Sequence, residues 1–402
     1  MSAGTIGGAV AAWHDPKRLL WAASLVMPLL PVVAMGLHRL TGSGLWLWLG
    51  PAVMLGLVPL VDALVGDDGS NPPREALAGL EEDRYYRILT WLFVPLQYAA
   101  FGLGLARIAA GDLAVWEAVG LAITVGCVGG LGINAAHELG HKSEGLERWL
   151  SKIALAQSFY GHFYVEHNRG HHVKVATPED PSSARLGESF YRFLPRTVCG
   201  SLVDAWRLEA RRLARRGLHP FRPGNDVVDA FLLSGVLWGA TVAWLGPAVI
   251  PYLLLQAAVG IGLLEAVNYI EHYGLLRRRV DGGRDGWEPV APRHSWNSNS
   301  VVSNVLLYHL QRHSDHHLHP TRRYQALCDD GSAPGLPTGY GGMVLLALLP
   351  PVWSRVMDPL VARHYGGDVT LANVSPHARG RLLRRFPPPA RAGGAAQDGP
   401  PA

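Results

Sequence analysis

Three short stretches of the chain concentrate histidine: "HELGH" at 137–141, "EHNRGHH" at 166–172 and "HSDHH" at 313–317. Spacings of HxxxH, HxxxHH and HxxHH each set two imidazoles on one face of a helical turn. A fourth stretch, "NYIEHYG", adds His272. The chemistry such groups offer is metal ligation, because neutral imidazole binds zinc, copper, iron or nickel. A single zinc takes about four ligands in a structural site, or three and a water in a catalytic one. The nine histidines His137, His141, His167, His171, His172, His272, His313, His316 and His317 are too many for one ion and suit two. "HELGH" is also a formal HExxH match, in which Glu138 would be the general base of a zinc protease. That reading needs one further ligand and leaves six of the nine histidines without a role. His14, His38, His219, His364 and His377 stand apart and read as ordinary polar residues.

The elements that must position these residues are membrane helices. Of 402 residues 49% are hydrophobic and 17% charged, with 13 Trp and 47 Gly, which argues against disorder and against an ordinary soluble enzyme. Apolar runs long enough to cross the hydrocarbon fall near 19–38, 44–65, 89–110, 114–136, 229–246 and 248–270. The turn-like links "LTGSG", "AAGDL" and "LGP" pair them into three hairpins, giving an all-α membrane fold of six spans. The long links, 142–228 and 271–386, hold Arg207, Arg211, Arg212, Arg215, Arg216 and Arg277 to Arg279, against Arg39 on the short side. This bias predicts cytoplasmic termini and a cytoplasmic cap rich in histidine. The stretch "YGGMVLLALLPPVW" at 340–353 is too short and Pro-broken to span comfortably, and is expected at the interface or packed on the cap. The spans ending in "NAAHELGH" and "NYIEHYG" both run toward the cap, so all the boxes are expected on one membrane face. Cys127, Cys199 and Cys328 are too far apart for a disulfide framework or a metal knuckle. The first apolar run lacks the pattern of a cleaved signal peptide and reads as a retained helix. Residues 1–386 read as one membrane domain, and 387–402, rich in Pro, Ala and Gly, as a tail or a linker.

"NAAHELGHK", "GHFYVEHNRGHH", "NYIEHYGLLR", "HSWNSN", "LQRHSDHHLHPTRRYQAL" and "LPTGY" resemble the signatures of the bacterial membrane alkane 1-monooxygenases, within the fatty-acid desaturase and hydroxylase superfamily. The resemblance runs from about residue 19 to about 386. It implies a six-helix fold in the bacterial inner membrane and two non-haem iron ions held by the same nine histidines. It implies hydroxylation of the terminal methyl of medium-chain n-alkanes to 1-alkanols, with O2 and with electrons from rubredoxin, a separate protein or one fused after residue 402, and its NADH-dependent reductase. A terminal C–H bond offers no acid, dipole or leaving group, so the cofactor must supply the hard step and the protein its ligation, tuning and substrate placement.

Carboxylates in or near the boxes, Glu138, Glu166, Asp180, Glu271 and Asp315, are candidates to hold the outer ring N–H groups of the ligands. His162, His294, His309 and His319 could share that role. Residues back along the His137 face, Ile133 and Gly130, with Leu131 and Met54 on neighbouring faces, are candidate lining for the alkane. Close helix packing of small residues is the rival explanation of Gly126 and Gly130. The arginines of the long links, with Arg322 and Arg323, form a basic surface that an acidic rubredoxin would meet, or they enforce topology and meet anionic lipid. A membrane fatty-acyl desaturase or hydroxylase is the alternative enzyme. A metal transporter would need ionisable ligands in mid-span, whereas the spans hold Asp62 and Glu265 toward their cytoplasmic ends and Glu117 near the opposite side.

Overall fold

A computed structural model describes residues 13–284 and 286–389. The bulk of the tail, residues 390–402, lies outside the described residues. Six helices are long and apolar enough to cross a membrane: α1 (Leu20–Thr41), α2 (Gly44–Val65), α3 (Arg84–Ala109), α4 (Val115–Gly140), α8 (Asp226–Leu245) and α9 (Pro247–Glu271). At 20 to 26 residues each, they reach about 30–39 Å, the thickness of the hydrocarbon core. The chain chemistry sets their ends. Gly42, at φ 72°, closes α1 in the left-handed conformation glycine tolerates, its N–H donating to His38 O at 2.8 Å. Asp83 accepts from Tyr85 N at 2.9 Å at the start of α3, and Asn225 accepts from Val227 N at 2.9 Å at the start of α8.

Between and after the spans lie α5 (Gly145–Ala156), α6 (residues 163–174), α7 (Phe190–Ala214), α10 (Val301–Leu306), α11 (His313–Leu318), α12 (Tyr340–Ala347), α13 (Pro350–His364) and α14 (Arg379–Arg385). Among the described residues the only strand is the short Arg279–Arg284. α12 and α13 meet at a bend of 119° rather than forming a seventh straight span, as the prolines at 350 and 351 require.

α4 is the central helix, buried along nearly its whole length, and α9 packs along it. Glycine makes this approach possible: a Cβ on Gly126 would stand 2.7 Å from Gln256 O, and one on Gly132 2.4 Å from Gln97 Oε1. α8 and α9 follow one another through Gly246, α8 packing mainly on α5 and α9 mainly on α4. Part of the link 142–228, expected outside the bundle, enters it between them. Gln157, just after α5, donates to Gln256 Oε1 at 3.0 Å and its carbonyl accepts from Gln256 Nε2 at 2.9 Å and Trp238 Nε1 at 3.1 Å. Gln97 donates to Ala154 O at 3.0 Å. Three glutamine and indole donors thus satisfy backbone that leaves a helix inside the bundle, which lipid would not do. Gln157 reads in sequence as one more loop amide, so the pattern of apolar runs gave no sign of this wedge.

The charged residues of the spans are structural. Asp62 accepts from Val302 N and Ser303 N at 2.9 and 3.0 Å, capping α10. Glu117 accepts from Ala114 N at 2.9 Å at the start of α4. Glu265 takes Tyr160 Oη, Thr197 Oγ1 and Asn268 Nδ2 at 2.8, 2.9 and 3.1 Å. Asp62 and Glu265 thus have both oxygens engaged, which leaves them none to offer a transported ion.

Arg312 fastens the segment that carries α11. It is fully buried and donates to Leu327 O, Asp68 O, Ser70 O and Asn71 Oδ1 at 2.8 to 3.2 Å. Arg312→Met keeps much of the volume but strands those acceptors, so stability should fall by about 3 kcal/mol. A thermal melt of the purified variant measures it.

Candidate metal centre

The bundle brings the nine histidines together as two groups, and each group draws on distant parts of the chain. His137, His141, His167, His172 and His316 form one; His171, His272, His313 and His317 form the other. Within each group one ring nitrogen per residue lies within 4.8 Å of all the others. Eight of the nine are buried and His172 is half-buried. His137 and His141 come from the end of α4 and His272 from the residue after α9. His167, His171 and His172 sit in α6, whose centre, His167–His171, is a π-turn, a distortion common at functional sites. α11 contributes the last three.

The nitrogens that converge are Nε2 atoms. In the five-membered group His137 faces His316 at 3.0 Å, His316 faces His172 at 3.1 Å, His172 faces His167 at 3.2 Å and His167 faces His141 at 3.1 Å. In the four-membered group His272 and His317 face His313 at 3.1 and 2.9 Å, while His171 Nε2 is buried with no hydrogen-bond partner. The outer nitrogens fix two tautomers. His272 Nδ1 donates to His294 O and His171 Nδ1 to Asp180 Oδ2, both at 2.9 Å, which leaves each Nε2 with a bare lone pair pointing into the group. Buried lone pairs aimed at one point repel unless a cation lies among them. Metal–imidazole bonds of about 2.1 Å at 90–109° separate ligand nitrogens by about 3.0–3.4 Å, so the spacing fits metal-bound imidazole. Burial and then the neighbouring imidazoles hold His141, His167, His172, His313, His316 and His317 well below the ordinary histidine range. They are therefore neutral, the form that binds metal.

The flanking carboxylates sort by contact. Asp180 holds His171 and also accepts from Ser183 Oγ at 2.6 Å. Burial alone would raise its pKa, but His171 and Ser183 outweigh it and keep the carboxyl below its usual range. Glu271 Oε1 lies 3.2 Å from His313 Nδ1 and accepts from Tyr340 Oη at 3.0 Å. Glu138 is turned away: Lys142 Nζ stands at 2.9 Å and Tyr324 N donates to it at 3.2 Å. An HExxH protease needs that carboxylate on the metal's water, so the pairing counts against the protease reading. Asp315 accepts both its bonds from Arg322, at 2.9 and 2.7 Å, and one from Cys328 N, anchoring the following loop. Glu166 is buried with Oε1 unpartnered, and burial pushes its pKa well up. His309 donates to Tyr324 O at 2.9 Å beside Trp21, away from the ring nitrogens. His162 meets Tyr160 edge-on and stacks on Phe231 with neither ring nitrogen partnered, and the His319 side chain is half exposed. The role of His294 comes from its backbone, which no side-chain motif signals.

Asp180→Ala should weaken metal retention by about 10–100-fold, the usual cost of losing an outer partner of a ligating histidine. Asp315→Ala should not. Timed metal loss to a chelator separates the two.

Below the groups lies a narrow apolar cavity of about 70 Å³. Met54, Gly130 and Leu131 line it, with Asn134, Leu263 and Leu310. Asn134 and Leu310 each stand three residues before a clustered histidine, so the cavity approaches the site from the membrane side. Met54 belongs to a second π-turn, Val53–Leu57, in α2. Ile133 does not line the cavity; it packs with Ala136, Tyr160 and Leu264 on another side of α4. On a helix Ile133 lies about 100° from the middle of the arc set by residues 130, 131 and 134, and Asn134 takes the place expected for it.

These features define a histidine-rich membrane oxidoreductase class, and a family model described as fatty acid desaturase matches residues 114–329. The chain is 44% identical to the alkane 1-monooxygenase of Ectopseudomonas oleovorans, and 45% identical to alkane 1-monooxygenase 1 of Alcanivorax borkumensis, over 92% of this chain and 92% of each relative. It is 28% identical to the xylene/toluene monooxygenase hydroxylase component of Pseudomonas putida, over 81% of this chain and 85% of that one. The chain belongs to the alkane 1-monooxygenase family and is an enzyme of that family.

Proposed function

We propose that this enzyme holds two non-haem iron ions, one in each histidine group, and hydroxylates the terminal methyl of medium-chain n-alkanes. The balanced reaction is R–CH3 + O2 + 2 electrons + 2 protons giving R–CH2OH + H2O. The electrons come from rubredoxin and its reductase, and the histidine end faces the cytoplasm of a bacterial inner membrane. The observation that carries the reading is the convergence of nine imidazole Nε2 atoms, in groups of five and four, above an apolar cavity.

The bound metals would supply O2 activation, chemistry no side chain here performs. The protein's own residues do the rest. The nine histidines hold the ions, and Asp180 and the His294 carbonyl keep the ring orientation of His171 and His272 fixed. The cavity binds an unreactive chain by removing its surface from water and points one end at the ligands. Burial of the histidines limits the access of bulk water, and of the protons it carries, to the site. Arg207, Arg211, Arg212, Arg215 and Arg216 at the end of α7, with Arg278, supply the basic face that supports both the orientation and an acidic electron donor.

Supplied with octane or dodecane, O2, NADH, rubredoxin and reductase, the enzyme should form a 1-alkanol. An alkene from a fatty acyl thioester, with no alcohol from free alkane, would instead establish the desaturase alternative. Gas chromatography of the products distinguishes them.

A further inference from the structure

A cleft of about 480 Å³ opens where α12 bends into α13 and shares no lining residue with the apolar cavity. Arg355, Arg381 and Arg385 line it. Arg385 is tied to buried Asp358 at 3.1 Å. Arg355 and Arg381 are exposed and make no ion pair among the described residues. The one acid lining the cleft, Glu188, is already neutralised by Arg196, whose Nε and Nη2 donate to its two oxygens at 2.8 Å each. Asp358 is likewise occupied, accepting from Tyr273 Oη at 2.8 Å and from Ser354 Oγ. The charges of Arg355 and Arg381 are therefore uncompensated in the cleft.

The uncharged walls point the same way. The 25-residue helix α7 begins here at Ser189, whose side chain caps none of its amides, and the 15-residue α13 begins here too. Both present the positive end of a helix. Trp353 lines the cleft, is 1% exposed, and its indole Nε1–H meets no acceptor at hydrogen-bonding geometry. A buried donor without a partner costs free energy unless a ligand supplies the acceptor. The rim is apolar and aromatic: Leu349 is 55% exposed, and Tyr191, 58% exposed, donates to Leu348 O at 2.9 Å. Such residues mark the level of lipid headgroups.

We propose that this cleft binds the phosphate of an anionic phospholipid headgroup. The arginine forks match phosphate oxygens in pairs, the indole N–H donates from the floor, and the acyl chains leave past Leu349 and Tyr191 into the bilayer. The site fixes the α12–α13 bend against α7 and so braces α12, which supplies Tyr340 to Glu271.

The test uses the delipidated full chain in a non-ionic detergent, titrated with phosphatidylglycerol, phosphatidylcholine or inorganic phosphate, with bound lipid counted by native mass spectrometry. Wild type should bind phosphatidylglycerol in preference to phosphatidylcholine. Arg355→Gln plus Arg381→Gln should weaken that binding roughly 30-fold, the effect of about 1 kcal/mol for each arginine. Arg84→Gln plus Arg148→Gln, both exposed and outside the cleft, removes the same charge elsewhere and should leave it unchanged, and Trp353→Phe should weaken it less than the double variant does. Equal binding of the two lipids, or a cleft double variant that binds like wild type, overturns the proposal. Inorganic phosphate matching phosphatidylglycerol would assign a free anion instead. A cleft variant that keeps its lipid but needs more electron-donor protein would assign a protein dock, and either result overturns the lipid site.

Discussion

Replacing any one of the nine clustered histidines by Ala is expected to abolish alkane hydroxylation, while His14→Ala and His377→Ala, both at exposed positions far from the groups, are tolerated. The two groups should respond differently in metal content. Wild type is expected to carry about two irons per chain. His272→Ala removes one of only four ligands in its group, which weakens that ion's hold the more, so content should drop toward one. His172→Ala leaves four in the other group, and content should stay nearer two although turnover is lost. Metal analysis of the purified variants beside their activity makes the comparison. Equal metal loss in both would mean that the groups do not hold separate ions. One zinc per chain with full activity would sink the iron assignment outright.

The split explains what the sequence could and could not tell. That the nine residues belong together was readable, because HxxxH and HxxHH spacings have one helical meaning and because α4 and α9 both end in a box. How they divide was not. Neighbouring residues on a helix point about 100° apart, so His171 and His172 enter different groups, as do His316 and His317. A box is thus not a site; each of "EHNRGHH" and "HSDHH" feeds both. The span ends were legible from Gly and polar turns, whereas the entry of Gln157 into the bundle rests on four hydrogen bonds between residues far apart in sequence. The carboxylates show the same limit. Glu138 lies inside a box yet serves Lys142, while Asp180, eight residues beyond the nearest box, holds a ligand.

Helix spacing should matter to the metals even where no ligand is touched, and Gly126→Val is the sharpest case. α4 carries His137 and His141, and α9 leads into His272, so the distance between these helices sets how the groups face each other. A Cβ on Gly126 would stand 2.7 Å from Gln256 O and 2.7 Å from Val259 Cβ. The first is backbone and cannot rotate away, so α9 must move. Gly130, one turn nearer the site, would meet Leu263 Cβ at 3.1 Å and borders the cavity, so it serves close packing and the cavity wall together. Overpacking of a tight core usually costs about 1–3 kcal/mol. Valine, with two more methyl groups at the point of contact, should reach the upper end, lowering the melting temperature and reducing metal content in both groups. The matched control is Gly262→Val on α9 itself, where a Cβ meets nothing within 4 Å. That variant should melt and bind metal like wild type. If Gly126→Val retained two irons and full turnover, the helix contact would have no part in placing the histidines.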